Sequence, residues 1–329
     1  MDKRNTSKPG RRIDMNQVIT NPALRIKITG VCNRTCSFCN EEGDMRTIEF
    51  VEPSEEFFEC IHALMEILDI KEVMLTGGEP TIHSDLFNII NGINVPSISI
   101  TTNGIRPLSV DDWARLRDAG LRKIIVSIHD ATTQSFIQLE TRQRKFGWAV
   151  QALESQRHNL VTASEVGLRV RVNTVAYSSH KQVNQVLEVL EDLQQKYRFD
   201  LRLLNDLANI KKSQQIIHGV CQSLGAKVIK EERRAGSSNT TVFWETESGF
   251  CFSTKMAYRY FFDPICNGCT LKEQCHEGFY GIRIERRMSD YWVRLCIYKH
   301  TQDVLMPWKL FLQGDIAKKF KELCKGEQP

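Results

Sequence analysis

The chain has 329 residues, 41% hydrophobic and 26% charged, with a formal net charge of +4. That length suits one barrel-sized domain plus a smaller one, and the balance excludes disordered, collagenous and disulfide-scaffold classes. No run of about 18 apolar residues occurs, and dense basic character is confined to the first twelve residues, which argues against a membrane or a nucleic acid as partner.

The opening MDKRNTSKPGRR is basic and polar, and no apolar stretch of about 7–15 residues follows it. Residues 1–19 therefore read as a flexible basic arm rather than a signal peptide, and the protein is expected in the cytoplasm. Eleven cysteines, an odd number, point in that compartment to metal ligation rather than a disulfide framework. Cys60, Cys221 and Cys324 stand apart in helix-like segments and read as small buried hydrophobes.

Along the chain, apolar β-branched runs alternate with segments of helical spacing. Strands are predicted at 24–29 (LRIKIT), 72–77 (EVMLTG), 97–103 (SISITTN), 123–129 (KIIVSIH), 168–176 (LRVRVNTVA) and 200–207 (DLRLLNDL). Helices are predicted between them at 54–68, 83–93, 110–120, 146–156 and 182–197. This rhythm calls for an α/β fold, a parallel sheet with helices outside it, either open or curved into a barrel short of the eight units of a complete one. After about Gly236 the chain becomes rich in aromatics and cysteines, and a boundary is expected in RRAGSSN. The predicted organisation is an arm (1–19), a βα domain (20–235) and a cysteine-rich C-terminal domain (236–329).

The stretch GVCNRTCSFCNEEG places Cys32, Cys36 and Cys39 directly after the first strand, where parallel sheets build active sites. Three thiolates could bind three irons of a [4Fe–4S] cube and leave the fourth iron open. From spacing alone, a zinc site with a distant fourth ligand is the alternative. After the second strand, Gly77 and Gly78 allow close backbone approach to a ligand, and Glu79 offers an acceptor suited to an ammonium group; a plain turn ending in Pro80 is the alternative. TTNG (101–104) and VSIHD (126–130) end the next two strands, with Asn103 and Ser127 able to hydrogen-bond a ribose or carboxylate. Near the C-terminus, Cys266, Cys269, Cys275 and Cys296 could close a second [4Fe–4S] cluster or a four-cysteine zinc knuckle, with Cys251 as a substitute ligand and His276 packed rather than ligating.

The cysteine triplet, Gly77-Gly78-Glu79-Pro80 and Thr101-Thr102-Asn103-Gly104, in this order, resemble the radical S-adenosylmethionine superfamily over about residues 20–235. The resemblance implies a partial (β/α)6 TIM-type barrel in which Cys32, Cys36 and Cys39 hold a [4Fe–4S] cluster whose open iron S-adenosylmethionine chelates. One electron would then yield a 5′-deoxyadenosyl radical that abstracts hydrogen from substrate. It also implies that the turn through Gly77, Gly78, Glu79 and Pro80 meets the methionyl amino group. Thr102, Asn103 and Ser127 would lie near the methionyl carboxylate or ribose, Asn173 near the adenosine and Phe38 beside the adenine. A flavodoxin- or ferredoxin-type electron donor is implied as a partner.

An auxiliary [4Fe–4S] cluster on a C-terminal extension resembles two groups of that superfamily: the GTP 3′,8-cyclases of molybdenum cofactor synthesis, and the twitch/SPASM enzymes that modify peptides and small natural products. Arg25 matches a cyclase arginine that meets the substrate triphosphate, and Arg283 in YGIRI matches a nucleotide-contacting arginine; Arg171 joins them as a phosphate candidate. Strand-edge salt bridges are the plain alternative for these arginines. The chain departs from the cyclases in having Cys275 besides three cluster cysteines, His83 and Ser84 in place of a basic pair, Ser178 in place of a lysine, and a KGEQP ending. The expectation is a cyclase-like radical enzyme acting on another nucleotide or phosphorylated metabolite, with a peptide or natural-product substrate as the alternative. A zinc-and-cluster regulator that binds nucleic acid through Arg233, Arg234, Arg286 and Arg287 is the non-enzyme alternative. His129, Asp130, Glu79 and Glu277 are the acid–base candidates.

Overall fold

Along a strand the side chains alternate between two faces, so a buried apolar face dictates where every intervening residue must point. In β2 (Ala23–Thr29), Leu24, Ile26 and Ile28 are fully buried, which turns Arg25 and Lys27 to the opposite side. The same pattern recurs in β3 (Glu72–Gly77), β4 (Ser97–Thr102), β5 (Leu121–Ser127), β6 (Arg169–Ala176) and β7 (Asp200–Asn205). These six strands pair in parallel and in chain order. The computed structural model describes residues 14–19, 22–39, 49–257 and 259–325.

Helices connect the strands and cover the apolar face: α1 (Glu55–Leu68), α2 (Leu86–Ile93), α3 (Val110–Asp118), α4 (Thr133–Leu139), α5 (Phe146–Glu165), α6 (His180–Tyr197) and, after β7, α7 (Ile210–Ser223). Their starts follow from local chemistry. Ser54, Thr132 and Ser179 each accept a backbone N–H at a helix start, and Ser109 forms a reciprocal capping box with Asp112. This is the predicted partial (β/α)6 barrel. The predicted elements did not include α4 or α7; α4 is short and polar, and α7 carries five consecutive polar residues in its first turns that blur the apolar period.

Strand register aligns residues across the barrel's inner face. Arg283, Arg25, Met74, Ser99, Lys123 and Arg169 are successive partners on neighbouring strands. A second row runs through Ser127, Asn173, Arg202 and Ser253. Both rows depend on strands contributed by the C-terminal part. β10 (Cys251–Ala257) extends the sheet in parallel beyond β7, followed by β9 (Asn239–Glu245), β8 (Lys227–Arg234) and β1 (Asp14–Ile19). On the other edge, β11 (Ile282–Arg287) pairs in parallel with β2, followed by β12 (Asp290–Arg294) and β13 (Leu305–Pro307).

Two boundaries read from composition are thereby corrected. Residues 14–19, assigned to the arm, form an edge strand on β8, because their extended backbone finds an unpaired partner there. The boundary at 235/236 falls inside the β8–β9 hairpin, so backbone pairing continues across it. The sequence RRAGSSN marks a turn rather than a linker. Residues 1–13 of the arm lie outside the described residues. The remaining elements, α8 (Asp263–Cys266), α9 (Trp308–Gln313) and α10 (Asp315–Cys324), complete the C-terminal part. Among the described residues no helix is long and apolar enough to cross a membrane.

Buried amides on α5 fix the loops at the strand ends. Asn159 donates to the carbonyls of Gly104 (2.8 Å) and Arg106 (2.9 Å) and accepts from Leu108 N (3.0 Å) and Trp113 Nε1 (3.3 Å). Gln156 donates to the carbonyls of Asn103 (2.8 Å) and Ser127 (2.9 Å). Asn159→Ala would orphan four buried polar groups and is expected to lower the unfolding free energy by about 3 kcal/mol or more. Urea denaturation checks this, and a loss below about 1 kcal/mol would show that the loop does not depend on Asn159.

Candidate functional site

The cysteine loop continues from β2 and is held by its neighbours. Gly78 N donates to Thr29 O and Glu79 N to Val31 O, both at 2.8 Å, which zips the loop after β3 onto the loop after β2. A Cβ on Gly78 would lie 2.1 Å from Val31 O, so glycine is required there for backbone-to-backbone approach. On the other side, Ser37 N donates to Leu139 O (2.9 Å) and Thr141 N to Thr35 O (2.8 Å). Glu140, which sequence reasoning missed, accepts from Thr35 N and from Arg34 Nε, both at 2.8 Å. Burial raises Glu140's carboxyl, but Arg34 and the Thr35 donors outweigh it and the net shift is downward.

Cys32 and Cys39 are exposed and Cys36 is half-buried. Burial pushes the Cys36 thiol up to about 12 and raises Cys32, which favours the protonated thiol while the site holds no cation. All three cysteines line a cavity of about 290 Å³ together with Phe38, Gly77, Gly78, Thr102, Asn103, Ser127 and His129. The structure thus brings together most residues predicted for cluster and cofactor binding, and the donor set fits a cube with one open iron.

The Glu79 side chain is fully buried and is not among the residues that line this cavity. The carboxylate accepts from Thr81 N (3.0 Å), Thr81 Oγ1 (2.6 Å), Thr102 Oγ1 (2.6 Å) and Asn103 N (2.6 Å). Three of these donors converge on Oε1 and Asn103 N meets Oε2, so the carboxylate organises the loop after β4. Pro80 is likewise buried, at the start of a single 3-10 turn over Pro80–Ile82. Asn173 sits beside Ser127 in register, outside the cavity lining, and its Oδ1 is buried without a partner.

Asn103 Nδ2 donates to Asn33 Oδ1 (2.7 Å) and approaches Cys32 Sγ (3.7 Å), tying the third strand's loop to the first. Phe38 packs edge-on against His129 at 4.9 Å and beside Tyr177 at 5.4 Å. Tyr177 donates to Asp130 (2.6 Å). Asp130 is buried away from the cavity lining and therefore acts as a support. His129 Nδ1 accepts from Val175 N (3.1 Å), and burial holds the imidazole neutral with its pKa pressed down to about 3.

The cavity joins a second one, of about 420 Å³, on the inner face of the barrel; Leu207, Lys255, Glu277 and Tyr280 line both. Arg25, Arg171 and Arg283 converge here, and they are joined by Lys123, Arg169, Arg202, Arg233 and Arg234. Facing them are Glu72, Glu232 and Glu277. Burial, then Arg171, presses Lys123 down to about 7 and Arg202 downward. Lys255, over the Tyr280 ring at 4.0 Å, is pressed to about 8 by burial, with Glu277 opposing and Arg25, Arg202 and Arg283 assisting. Arg171 reaches Asp200 (3.3 Å), and its buried Nε has no partner. It lies near the start of β6 on the inner face and not at the strand's end. The missed cations carried a signal in KIIV, LRVRV and DLRLL, where charge recurs at every second strand position.

Cys266, Cys269, Cys275 and Cys296 line one small cavity, and burial pushes Cys266 up to about 11 with the other three thiols adding to the rise. Cys251 lies outside it, on β10 against Glu245, so it does not join this set. His276 Nδ1 faces Arg259 (3.4 Å). Cys60, Cys221 and Cys324 are buried. Among the described residues no group of three or more His, Cys, Asp or Glu is arranged to hold a single metal ion. A cube makes a different demand, because each thiolate binds its own iron. Of the arginines considered for nucleic acid, Arg233 and Arg234 line the inner cavity, Arg286 pairs with Glu52 (3.0 Å) and Arg287 with Glu285 (3.6 Å).

Residues 26–194 match the family model described as Radical SAM superfamily. A GTP 3′,8-cyclase of Clostridium perfringens is 26% identical over 302 residues, covering 86% of each chain. The GTP 3′,8-cyclase of Aquifex aeolicus is 31% identical over 162 residues, 46% of this chain and 47% of that protein. The chain spans 36% to 53% of the length of the first curated relatives it matches. Among solved structures, Streptococcus suis SuiB bound to S-adenosylmethionine aligns with a TM-score of 0.55 at 16% identity, covering 93% of this chain and 67% of that one, which supports a shared fold.

Two outcomes follow from the geometry. Glu79→Gln places an amide donor among four donors and is expected to cost the protein without cofactor about 1–3 kcal/mol in denaturant unfolding; unchanged stability would restore a purely ligand-binding role. His129, neutral when folded, loses stability as the unfolded chain takes up a proton below about pH 6.5, down to about pH 3. Relative to His129→Gln, wild-type stability should therefore fall by up to about 1.4 kcal/mol per pH unit across that window, and parallel pH curves would exclude a buried neutral imidazole.

Proposed function

Because the chain belongs to the radical S-adenosylmethionine superfamily, we propose that it is a radical enzyme acting on a nucleotide-like, phosphate-bearing metabolite. The superfamily's cofactors are a [4Fe–4S] cluster and S-adenosylmethionine. When bound, they supply one-electron chemistry for hydrogen abstraction. Cys32, Cys36 and Cys39 would hold the cluster. Gly77, Gly78, Thr102, Asn103, Ser127 and Phe38 would position S-adenosylmethionine in the cavity they line, with Asn173 offering an unpaired Oδ1 nearby. Cys266, Cys269, Cys275 and Cys296 would hold a second [4Fe–4S] cluster. A flavodoxin- or ferredoxin-type protein would supply the electron.

The observation that carries the substrate class is the cationic inner cavity continuous with the cysteine cavity. The cations lining this cavity, Arg25, Lys123, Arg171, Arg202 and Arg283 among them, outnumber Glu72, Glu232 and Glu277, and burying that excess of positive charge favours an anionic ligand. Guanidinium forks at Arg25 and Arg283, adjacent in register, suit phosphate oxygens. A polyphosphate bound there directs the rest of its molecule toward Lys255, Glu277 and Tyr280, and so toward the cysteines. An uncharged peptide would add no negative charge to offset that excess. The reaction itself differs in its requirements from the cyclases' own: the position of their basic pair is occupied here by His83, buried beside Phe50, and exposed Ser84.

Anion binding raises the pKa of neighbouring cations, so Lys123 and Lys255 should take up protons when phosphate enters. Calorimetric titration of GTP, other nucleoside triphosphates and inorganic triphosphate at pH 8 is expected to show proton uptake and salt-sensitive binding. Arg202→Met should weaken it about tenfold or more. In the reconstituted protein, about eight irons per chain and nucleotide-stimulated release of 5′-deoxyadenosine are expected. Unstimulated release with no nucleotide binding would refute the phosphate substrate while leaving the family assignment intact.

A further inference from the structure

Arg34 lies between two of the loop cysteines, yet its side chain is 2% exposed. Its guanidinium stacks on the Phe136 ring at 4.0 Å, and Nε donates to Glu140 Oε1 at 2.8 Å. Nη2 is buried without a partner, and the residue lines the cavity that contains Cys32, Cys36 and Cys39. Arg34 N also donates toward Cys32 Sγ at 3.4 Å. Glu140 is equally committed: Oε2 accepts from Thr35 N (2.8 Å), Thr35 Oγ1 (3.1 Å) and Arg144 Nε (3.4 Å), while Oε1 lies 4.0 Å from Cys36 Sγ. A loop clamp alone needs the Thr35 contacts. It does not need a buried cation with a spare donor in a residue that lines the cysteine cavity.

We propose that the Arg34–Glu140 pair sets the reduction potential of the cluster held by Cys32, Cys36 and Cys39, Arg34 as a buried cation and Glu140 as the carboxylate that fixes and partly offsets it. This rests on those cysteines being the cluster ligands. Reduction adds negative charge, which a nearby cation stabilises and a nearby carboxylate opposes, and burial limits screening by salt. The Arg34 backbone N–H, which donates toward Cys32 Sγ, acts in the same direction. Glu140 and Arg34 are positioning residues and touch no reacting atom.

The charge role separates from a structural one by sign. In the anaerobically reconstituted full chain, an EPR-monitored redox titration follows the cluster whose signal changes on adding S-adenosylmethionine. Glu140→Gln should make that cluster easier to reduce and Arg34→Gln harder, each changing the reduced-to-oxidised ratio at fixed potential on the order of tenfold. Arg34→Lys, which keeps the charge, should lie nearest wild type. Shifts of the same sign in Glu140→Gln and Arg34→Gln, or iron loss with the remaining signal unmoved, would overturn the proposal and leave a clamp. A wild type without any signal responsive to S-adenosylmethionine would instead overturn the cluster assignment beneath it.

Discussion

Everything at the site depends on the pairing of β2 with a parallel strand on each side. Leu24, Ile26 and Ile28 must face the helices, so Arg25 is forced onto the inner face, and the end of the strand delivers the cysteine loop to the barrel mouth. Pairing with β3 brings Gly78 against Val31, and pairing with β11 sets Arg283 beside Arg25. A one-residue slip in either register would reverse the faces and dismantle both cavities together. The C-terminal part is therefore a structural component of the barrel: β11 and β10 extend its two edges and supply Arg283 and Lys255 to its interior.

Two kinds of buried charge are managed differently. Near the cysteines, cation and carboxylate neutralise each other, with hydrogen bonds to Thr35 holding the geometry. On the inner face, cations outnumber carboxylates, and burial with mutual repulsion presses Lys123 and Lys255 toward their neutral forms. The first arrangement stabilises the empty protein. The second is suited to an anionic ligand, and a site preorganised in this way binds without further rearrangement of its framework.

The legible part of the site was local. Cys32, Cys36 and Cys39, the glycines at 77 and 78, and Asn103 are each close in sequence to a strand end, where a spacing or a small residue announces itself. They converge in one cavity. The hydrogen bonds of Glu79 were not legible, because its partners Thr102 and Asn103 come from another strand. Glu140 was invisible for a related reason: it follows a short polar helix and reaches residues more than a hundred positions earlier. Lys255 and Arg202 joined Arg25 only through sheet order, which no local pattern carries.

By itself the sequence determined the alternation of strands and helices, the parallel barrel that this implies, and the two cysteine sets, since periodicity and spacing are properties of neighbouring residues. Tertiary structure alone decided which strands cover the barrel's edges, that residues 14–19 pair with β8, that Glu79 turns inward, and that nine cations line one cavity. Those outcomes arise from backbone pairing and burial between segments far apart in the chain, where the competition between hydrogen-bond satisfaction and solvation is settled only after the chain has closed on itself.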